Sequence, residues 1–268
     1  MAISEVDRSF ERWDFASTAS IQCDIQGEES SMRDRVTFCI KTIHRSHCCA
    51  TLVRSIYEQC GENRPLIHVL DDGRPDLRFS KCCPEEAAMV DRLVETEYDI
   101  GLSAGRNRLL DMGDSPVVVF TDDDHIITEQ TRLAELIEKL DRYPDLDLLS
   151  GMSNTEEGPR MLASRDRVMR IYSGAYRWHD KIARCDYVGN CFVAYRDILQ
   201  AIRWDEELKV EEHWDFFWRA KLAGMNVGVA TDHVFKHVHV DPHGYVRHRP
   251  EYLKLGTTKH GLRKVMWR

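Results

Sequence analysis

Short continuous apolar runs alternate along this chain with segments whose apolar residues recur every three or four positions, the two periods of strand and helix. Val36 to Lys41 is apolar and β-branched, and predicts a buried strand. Cys48 to Cys60 sets Leu52, Val53, Ile56 and Tyr57 at helical spacing. Leu66 to Leu70 predicts a second strand, ending at Asp71-Asp72-Gly73. A helix over Glu85 to Glu95 is expected next, with Pro84 at its start, then a short third strand over Glu97 to Ile100. Ser103 is placed to cap a helix running through Met112. After Pro116 comes the run Val117-Val118-Val119-Phe120-Thr121, a further strand. Thr128 to Tyr143 carries Leu133, Leu136, Ile137 and Leu140 on one face, and Leu146 to Leu149 reads as another strand. Beyond Gly151 the pattern loosens, with strands expected over Met161 to Tyr172, Asn190 to Tyr195 and Val227 to Val234. Such alternation predicts an α/β fold with a mostly parallel, doubly wound, Rossmann-like sheet.

At 268 residues the chain is near the upper limit for one hydrophobic core, so a single main domain over 36–240 is expected. Residues 1–35 read as a polar extension and 241–268 as a basic tail. A hydrophobic fraction of 43% excludes wholesale disorder, and a net charge of -8 argues against a nucleic-acid binder. Nine cysteines, an odd count without C-x-x-C spacing, fit reduced thiols in the cytosol. The charged N-terminus is no signal peptide, and no apolar stretch is long enough to span a bilayer, so a cytoplasmic location is expected. In the tail, Lys254, Lys259, Arg263, Lys264 and Arg268 intersperse Leu255, Leu262, Val265 and Trp267. That end suits either peripheral contact with an anionic membrane or a terminal helix packed on the domain.

Three consecutive carboxylates, Asp122-Asp123-Asp124, close the strand that begins at Val117. Like charges at a buried strand end repel unless a cation lies among them, and hard oxygen donors there suit Mg2+ or Mn2+. Ligands of open α/β sheets bind just beyond the carboxyl ends of the strands. The triplet therefore points to metal-assisted chemistry on a phosphate-bearing substrate. A helix cap, the bland reading, needs one Asp and not three.

The stretches VTFCIKTIHR, VLDDGRPD, GLSAGRNRLL, VVVFTDDDHIITEQTRLAELIEKL, YVGNCFVAYRD, EEHWDFFWRAKLAG and VGVATDHVFKHVH occur in that order between Val36 and His239. Together they resemble the GT-A glycosyltransferases of family 2 type, and within them the β-1,4-N-acetylgalactosaminyltransferase-like branch. The resemblance implies a catalytic domain with a smaller mixed, acceptor-side C-terminal part. It also implies a UDP-sugar donor, a glycan or lipid-linked saccharide acceptor, bound Mn2+ or Mg2+, and inverting transfer of GalNAc or GlcNAc. Thr42 and Arg45, in the first matching stretch, would join the nucleotide site. Asp71 or Asp72 would accept the N3–H of uracil, although an Asp-Gly turn uses the same pair. Arg106 and Asn107, at a helix start, would face the pyrophosphate. In the DxD role, Asp122 would contact the ribose or the metal and Asp124 would ligate the metal, with Asp123 able to substitute for either. Gly189 and Asn190 would approach the donor sugar, with Asp186 before them. Spacing puts His233, His237 and His239 on one strand face without choosing among them; the resemblance selects His237 as a metal ligand.

Inverting transfer needs a carboxylate that deprotonates the acceptor hydroxyl. The family pattern for that segment is Glu-Asp-x-Asp, and here His213 stands where the catalytic Asp would be. The galactosaminyltransferase-like branch has His followed two residues later by an acid, which makes Asp215 the expected base and Glu212 the alternative. Tyr172, Tyr176 and Trp178 are candidates for an acceptor platform or for core packing. Two rival readings stand beside sugar transfer. A nucleotidyltransferase would share the clustered acids, but Lys41-Thr42-Ile43-His44-Arg45 lacks the Gly-rich loop expected after its first strand. A non-catalytic sugar-nucleotide-binding relative is the other, raised by His213.

Overall fold

One helical turn, α1 (Met32–Arg35), leads into β1 (Val36–Thr42), every residue of which is buried. The computed structural model describes residues 31–155, 158–238 and 248–268. The expected extension therefore lies outside the described residues except for 31–35, as does His239. α2 (Ser46–Cys60) lays Leu52, Val53 and Ile56 on the sheet, and β2 (Leu66–Asp71) pairs in parallel with β1. The long helix expected from Glu85 is cut short: only α3 (Phe79–Cys82) and α4 (Pro84–Ala87) form. Asp91 accepts hydrogen bonds from Ile67 N at 2.8 Å and Arg64 Nη1 at 2.6 Å, and this anchors β3 (Arg92–Glu95) alongside β2. Tertiary pairing overrides local helical spacing here. Glu97 to Ile100 is consequently a loop rather than the third strand, with Asp99 at φ 54°.

α5 (Leu102–Asp111) is entered through Gly101 at φ 95°. A Cβ at that position would lie 2.7 Å from Lys209 Cγ and 2.8 Å from its Cα, so glycine is required. Ser103 does not cap the helix; its hydroxyl donates to Leu208 O at 2.6 Å. Then come β4 (Val117–Asp122), β5 (His125–Ile126) and α6 (Leu133–Arg142), whose start is delayed by a turn with Arg132 at φ 43°. β6 (Leu148–Ser153) begins at Leu148 rather than Leu146. The single strand expected over Met161 to Tyr172 is a hairpin, β7 (Arg160–Arg165) and β8 (Val168–Ser173), because Asp166 and Arg167 both adopt positive φ. β9 (Arg177–His179), β10 (Ile182–Cys185), β11 (Cys191–Tyr195), α7 (Arg196–Ile202), α8 (Glu212–Leu222) and β12 (Val227–His237) follow. The described chain closes with α9 (Arg249–Lys259) and β13 (Lys264–Trp267).

The main sheet runs in the order β3-β2-β1-β4-β11-β6-β12-β10-β9, with β5 paired to the end of β12. Its first four strands are parallel; β11 enters antiparallel to both β4 and β6, so the sheet is mixed beyond β4. Side chains alternate between two cores. Phe38, Ile40, Val117 and Val119 meet α2 and α6, whereas Cys39, Val118 and Phe120 share the opposite core with residues of α5, α7 and α8. Burial on both faces is why β1, β2 and β4 read as unbroken apolar runs.

A second sheet, β13-β8-β7, closes the C-terminal part. β13 pairs in parallel with β8, and Gly256 of α9 sits so close to Trp214 that a Cβ would meet its ring at 2.7 Å. The described part of the expected basic tail is thus integral to the domain. Of the four apolar residues considered for a membrane, Leu262 and Val265 pack into the core shared with α8, while Leu255 and Trp267 are exposed. Among the described residues no helix is long and apolar enough to cross a membrane.

Candidate active site

The chain steps from β1 to β2 to β3 in one direction and returns to place β4 on the other flank of β1. This reversal opens a crevice at the carboxyl ends of β1 and β4, the place where open α/β sheets bind ligands. Thr42 ends β1 and Asp122 ends β4, and the acidic triplet follows directly.

Each acid of the triplet has a different environment. Asp122 is the most open of the three, accepting Arg106 Nη2 at 2.9 Å and Asn190 Nδ2 at 3.1 Å. Burial alone would raise its pKa, but Arg106, His125 and Arg45 outweigh it and hold the carboxyl at about 2. Asp123 is fully buried, accepts Thr42 Oγ1 at 2.6 Å and is ion-paired with Arg45. Burial pushes it up to about 7, with Asp124 and Asp122 reinforcing and Arg45 and Thr42 opposing. Asp124 accepts Arg45 Nη1 on Oδ2 at 2.6 Å and lies 3.4 Å from His237 Nε2. Arg45 thus bridges two of the acids, and Thr42 steadies one of them.

The donor atoms left over suit a metal. Asp124 Oδ1 and His125 Nε2 are buried with no hydrogen-bond partner. The His125 ring stacks on His237 with centroids 4.8 Å apart, and its Nδ1 lies 3.3 Å from Asp122 O. Burial lowers the pKa of His125, favouring the neutral ring. A neutral ring that donates from Nδ1 to a carbonyl keeps a free lone pair on Nε2. Among the described residues no three such side chains are already gathered as a cluster. Arg45 supplies the positive charge instead.

A cavity of about 310 Å³ opens from Asp122, His125 and His237 to the start of α8, where Glu211, Glu212 and His213 line it. Gly189, Asn190, Tyr187 and Trp267 form much of the remaining wall. The volume lies at the lower end of small-molecule sites. Glu211 takes the N-cap of α8 at φ 62°, lies 3.5 Å from Arg249, and has its pKa raised, chiefly by burial. Glu212 is buried and held by Arg106. His213 is enclosed by Tyr187 and Phe217, with Nε2 2.6 Å from Val188 O; burial, helped by Arg106, lowers it to about 4.

Several expected site residues lie elsewhere. Asp215, the expected base, follows Glu212 by three residues on α8 but does not line the cavity. It accepts His260 Nε2 on Oδ1 at 2.6 Å, across to the end of α9, and Arg219 Nε on Oδ2 at 2.9 Å within α8, so both oxygens are committed. Asp71 accepts Gly73 N and Phe79 N, each at 2.7 Å, the Asp-Gly turn that was the alternative to uracil recognition. Asp72 is fully buried against Lys41 and Gly101 N. Arg106 and Asn107, expected at the pyrophosphate, do not line the cavity: Arg106 joins Asp122 to Glu212, and Asn107 bonds Trp204 N and O. Asp186 is held by Leu162 N, Tyr176 and Lys221. Tyr172, Tyr176 and Trp178 are exposed but off the cavity. His233 pairs with Asp232 at 2.9 Å, because a register shift between Ala230 and Val234 breaks the alternation of β12 and parts it from His237.

Gly189, Asn190, Asp122, Glu212 and His237 do converge on the cavity. His125 was legible as the fourth residue of Asp-Asp-Asp-His, and Glu211 as the neighbour of Glu212. Trp267 and Tyr187 carried no such signal.

This architecture is that of the GT-A glycosyltransferases. The profile of glycosyl transferase family 2 matches residues 37–203, more than half of the sequence, and the chain belongs to that family. It is 30% identical over 226 residues to β-1,4 N-acetylgalactosaminyltransferase 1 of Rattus norvegicus, covering 79% of this chain and 40% of that protein. To β-1,4 N-acetylgalactosaminyltransferase 2 of Mus musculus it is 24% identical, covering 81% and 42%. The chain therefore spans about two-fifths of the length of these relatives. The crystal structure of S. aureus TarS superposes with a TM-score of 0.58 at 17% identity, over 84% of this chain and 39% of that one.

Proposed function

We propose that this chain is an inverting glycosyltransferase that moves a sugar from a UDP-sugar to a hydroxyl of a glycan acceptor, with Glu212 as general base. The observation that carries the reading is that Asp122 of the acidic triplet, the neighbouring His125 and His237, and the start of α8 open onto one cavity. In this reading Glu212 removes the acceptor hydroxyl proton while that oxygen bonds to the anomeric carbon and the bond to UDP breaks on the opposite face. Asp124, His125 and His237 would hold the divalent cation; one carboxylate with two imidazoles suits Mn2+ better than Mg2+. When bound, the cation offsets the negative charge of the departing diphosphate. With Asp71 and Asp72 committed, the uracil has a platform in His44 and Tyr98, which stack with centroids 5.5 Å apart just beyond β1. The relatives' names favour N-acetylgalactosamine as the sugar, with N-acetylglucosamine next.

The test is titration of purified protein with Mn2+ and a panel of UDP-sugars, followed calorimetrically and by UDP release. Binding with slow hydrolysis is expected, and both Asp124→Asn and His125→Ala should weaken Mn2+ binding about tenfold or more. Absence of binding by every UDP-sugar removes the reading. Tight binding without turnover across all acceptors would favour the non-catalytic relative, in which His213 replaces the usual Asp.

A further inference from the structure

Arg106 forks between the two ends of the cavity. One guanidinium nitrogen lies 2.9 Å from Asp122, at the donor end, and the other pairs with Glu212, at the start of α8. The Arg106 side chain is 4% exposed and Glu212 3%, so their pair is shielded from water, while Asp122 at 31% faces the open end. It is also fixed from behind: the Trp204 ring lies 5.7 Å from the guanidinium carbon and stacks on Phe216 of α8 at 4.5 Å. Asn107, the next residue, clamps Trp204 through N and O at 2.9 Å each. Asp122 is braced from the other side by Asn190 Nδ2.

We propose that Arg106 is the positioning residue of this site, holding Glu212 in its working orientation by tying it to the donor-binding Asp122. The inference rests on the sugar-transfer reading above. A carboxylate left free on the first turn of a helix samples several rotamers, and a displacement of about 1 Å in a reacting group costs on the order of a hundredfold in rate. A bidentate, always-charged fork with a stacked backing removes that freedom. Lysine has the charge but not the fork, and so cannot hold both acids at once. Arg106 does not itself line the cavity; it acts through Asp122 and Glu212, which do.

The experiment compares wild type, Arg106→Lys and Arg106→Gly for UDP-sugar binding, kcat and acceptor KM, with and without added guanidinium ion. The expected result is donor affinity within about threefold of wild type, kcat lower by about a hundredfold in both variants, and partial recovery of Arg106→Gly by guanidinium. Arg106→Lys retains a buried cation and guards against simple misfolding, and the donor-binding measurement reports whether each variant is folded. Loss confined to donor affinity, or a kcat that equals wild type in Arg106→Lys, overturns the inference while leaving sugar transfer intact. A wild type that turns over no UDP-sugar removes both.

Discussion

Asp215 accepts a hydrogen bond from His260 at 2.6 Å, which ties the helix of the expected base to the start of the chain's final turn. With Arg219 on its other oxygen, Asp215 is 1% exposed and has its pKa lowered: burial opposes ionisation, but His260 and Arg219 prevail. In the proposed reading its work is structural. Asp215→Asn is expected to keep turnover within about threefold while lowering stability by about 1–3 kcal/mol. Glu212→Gln should instead cut kcat by roughly a hundredfold or more at unchanged UDP affinity. Steady-state kinetics with urea unfolding on both variants distinguishes the two; a greater rate loss in Asp215→Asn would restore it as the base.

Arg45 bridges Asp123 and Asp124 and so serves as the resident counter-ion of the triplet. Removing it takes the guanidinium charge from two buried acids, and breaking a buried ion pair from one side typically costs about 3–5 kcal/mol. Arg45→Gln should therefore melt earlier without metal, and Mn2+ should raise its Tm by more than it raises that of wild type. Thermal scans with and without MnCl2 measure the difference. Equal Mn2+ shifts in both proteins would show that Arg45 and the cation do not compete.

Trp267 is half exposed on the cavity wall, with the Tyr187 ring edge-on at 5.5 Å and the Arg160 guanidinium 5.6 Å from its ring. Tryptophan offers a sugar ring a broad apolar face. Trp267→Ala is expected to raise acceptor KM about tenfold or more with little change in donor affinity, since a stacked aromatic contact contributes roughly 1–3 kcal/mol when its area is buried. Acceptor-dependent kinetics at saturating donor provides the check, and an unchanged KM would place the acceptor elsewhere.

His213 ties stability to pH. Its pKa is about 4 in the fold, lowered by burial and by Arg106, against an ordinary value of 6.5. The unfolded chain therefore takes up this proton first as pH falls. Its contribution is fully present above about pH 6.5 and declines toward about pH 4, a loss of about 3 kcal/mol over that window. His213→Asn should flatten this part of the stability profile, measured by urea unfolding at pH 7, 6 and 5; a slope equal to wild type would mean that other groups set it.

What the sequence discloses follows from burial. β1, β2 and β4 are covered on both faces, so their residues form unbroken apolar runs that need no partner to be recognised. β3 is half exposed and exists because Asp91 fastens it to Ile67, a contact between distant residues that spacing does not show. The same limit applies to the base. Glu212 and Asp215 are three residues apart on one helix, but only the helix's contacts decide which acid meets the cavity and which meets His260. The strand that carries Trp267 pairs with β8 from far along the chain, and nothing local announces it.

The antiparallel register of β11 on β4 sets Cys191 against Thr121, which leaves Asn190 beside Asp122. Strand side chains alternate between faces, so one inserted residue before Cys191 would turn Asn190 away from the acid and exchange the two cores along β11. The hairpin at Asp166 and Arg167 has no such obligation, being exposed and off the cavity. Length variation among natural or engineered versions of this chain should therefore collect at that hairpin and be absent from Gly189–Asn190, where a single added residue would unmake the Asp122 end of the cavity.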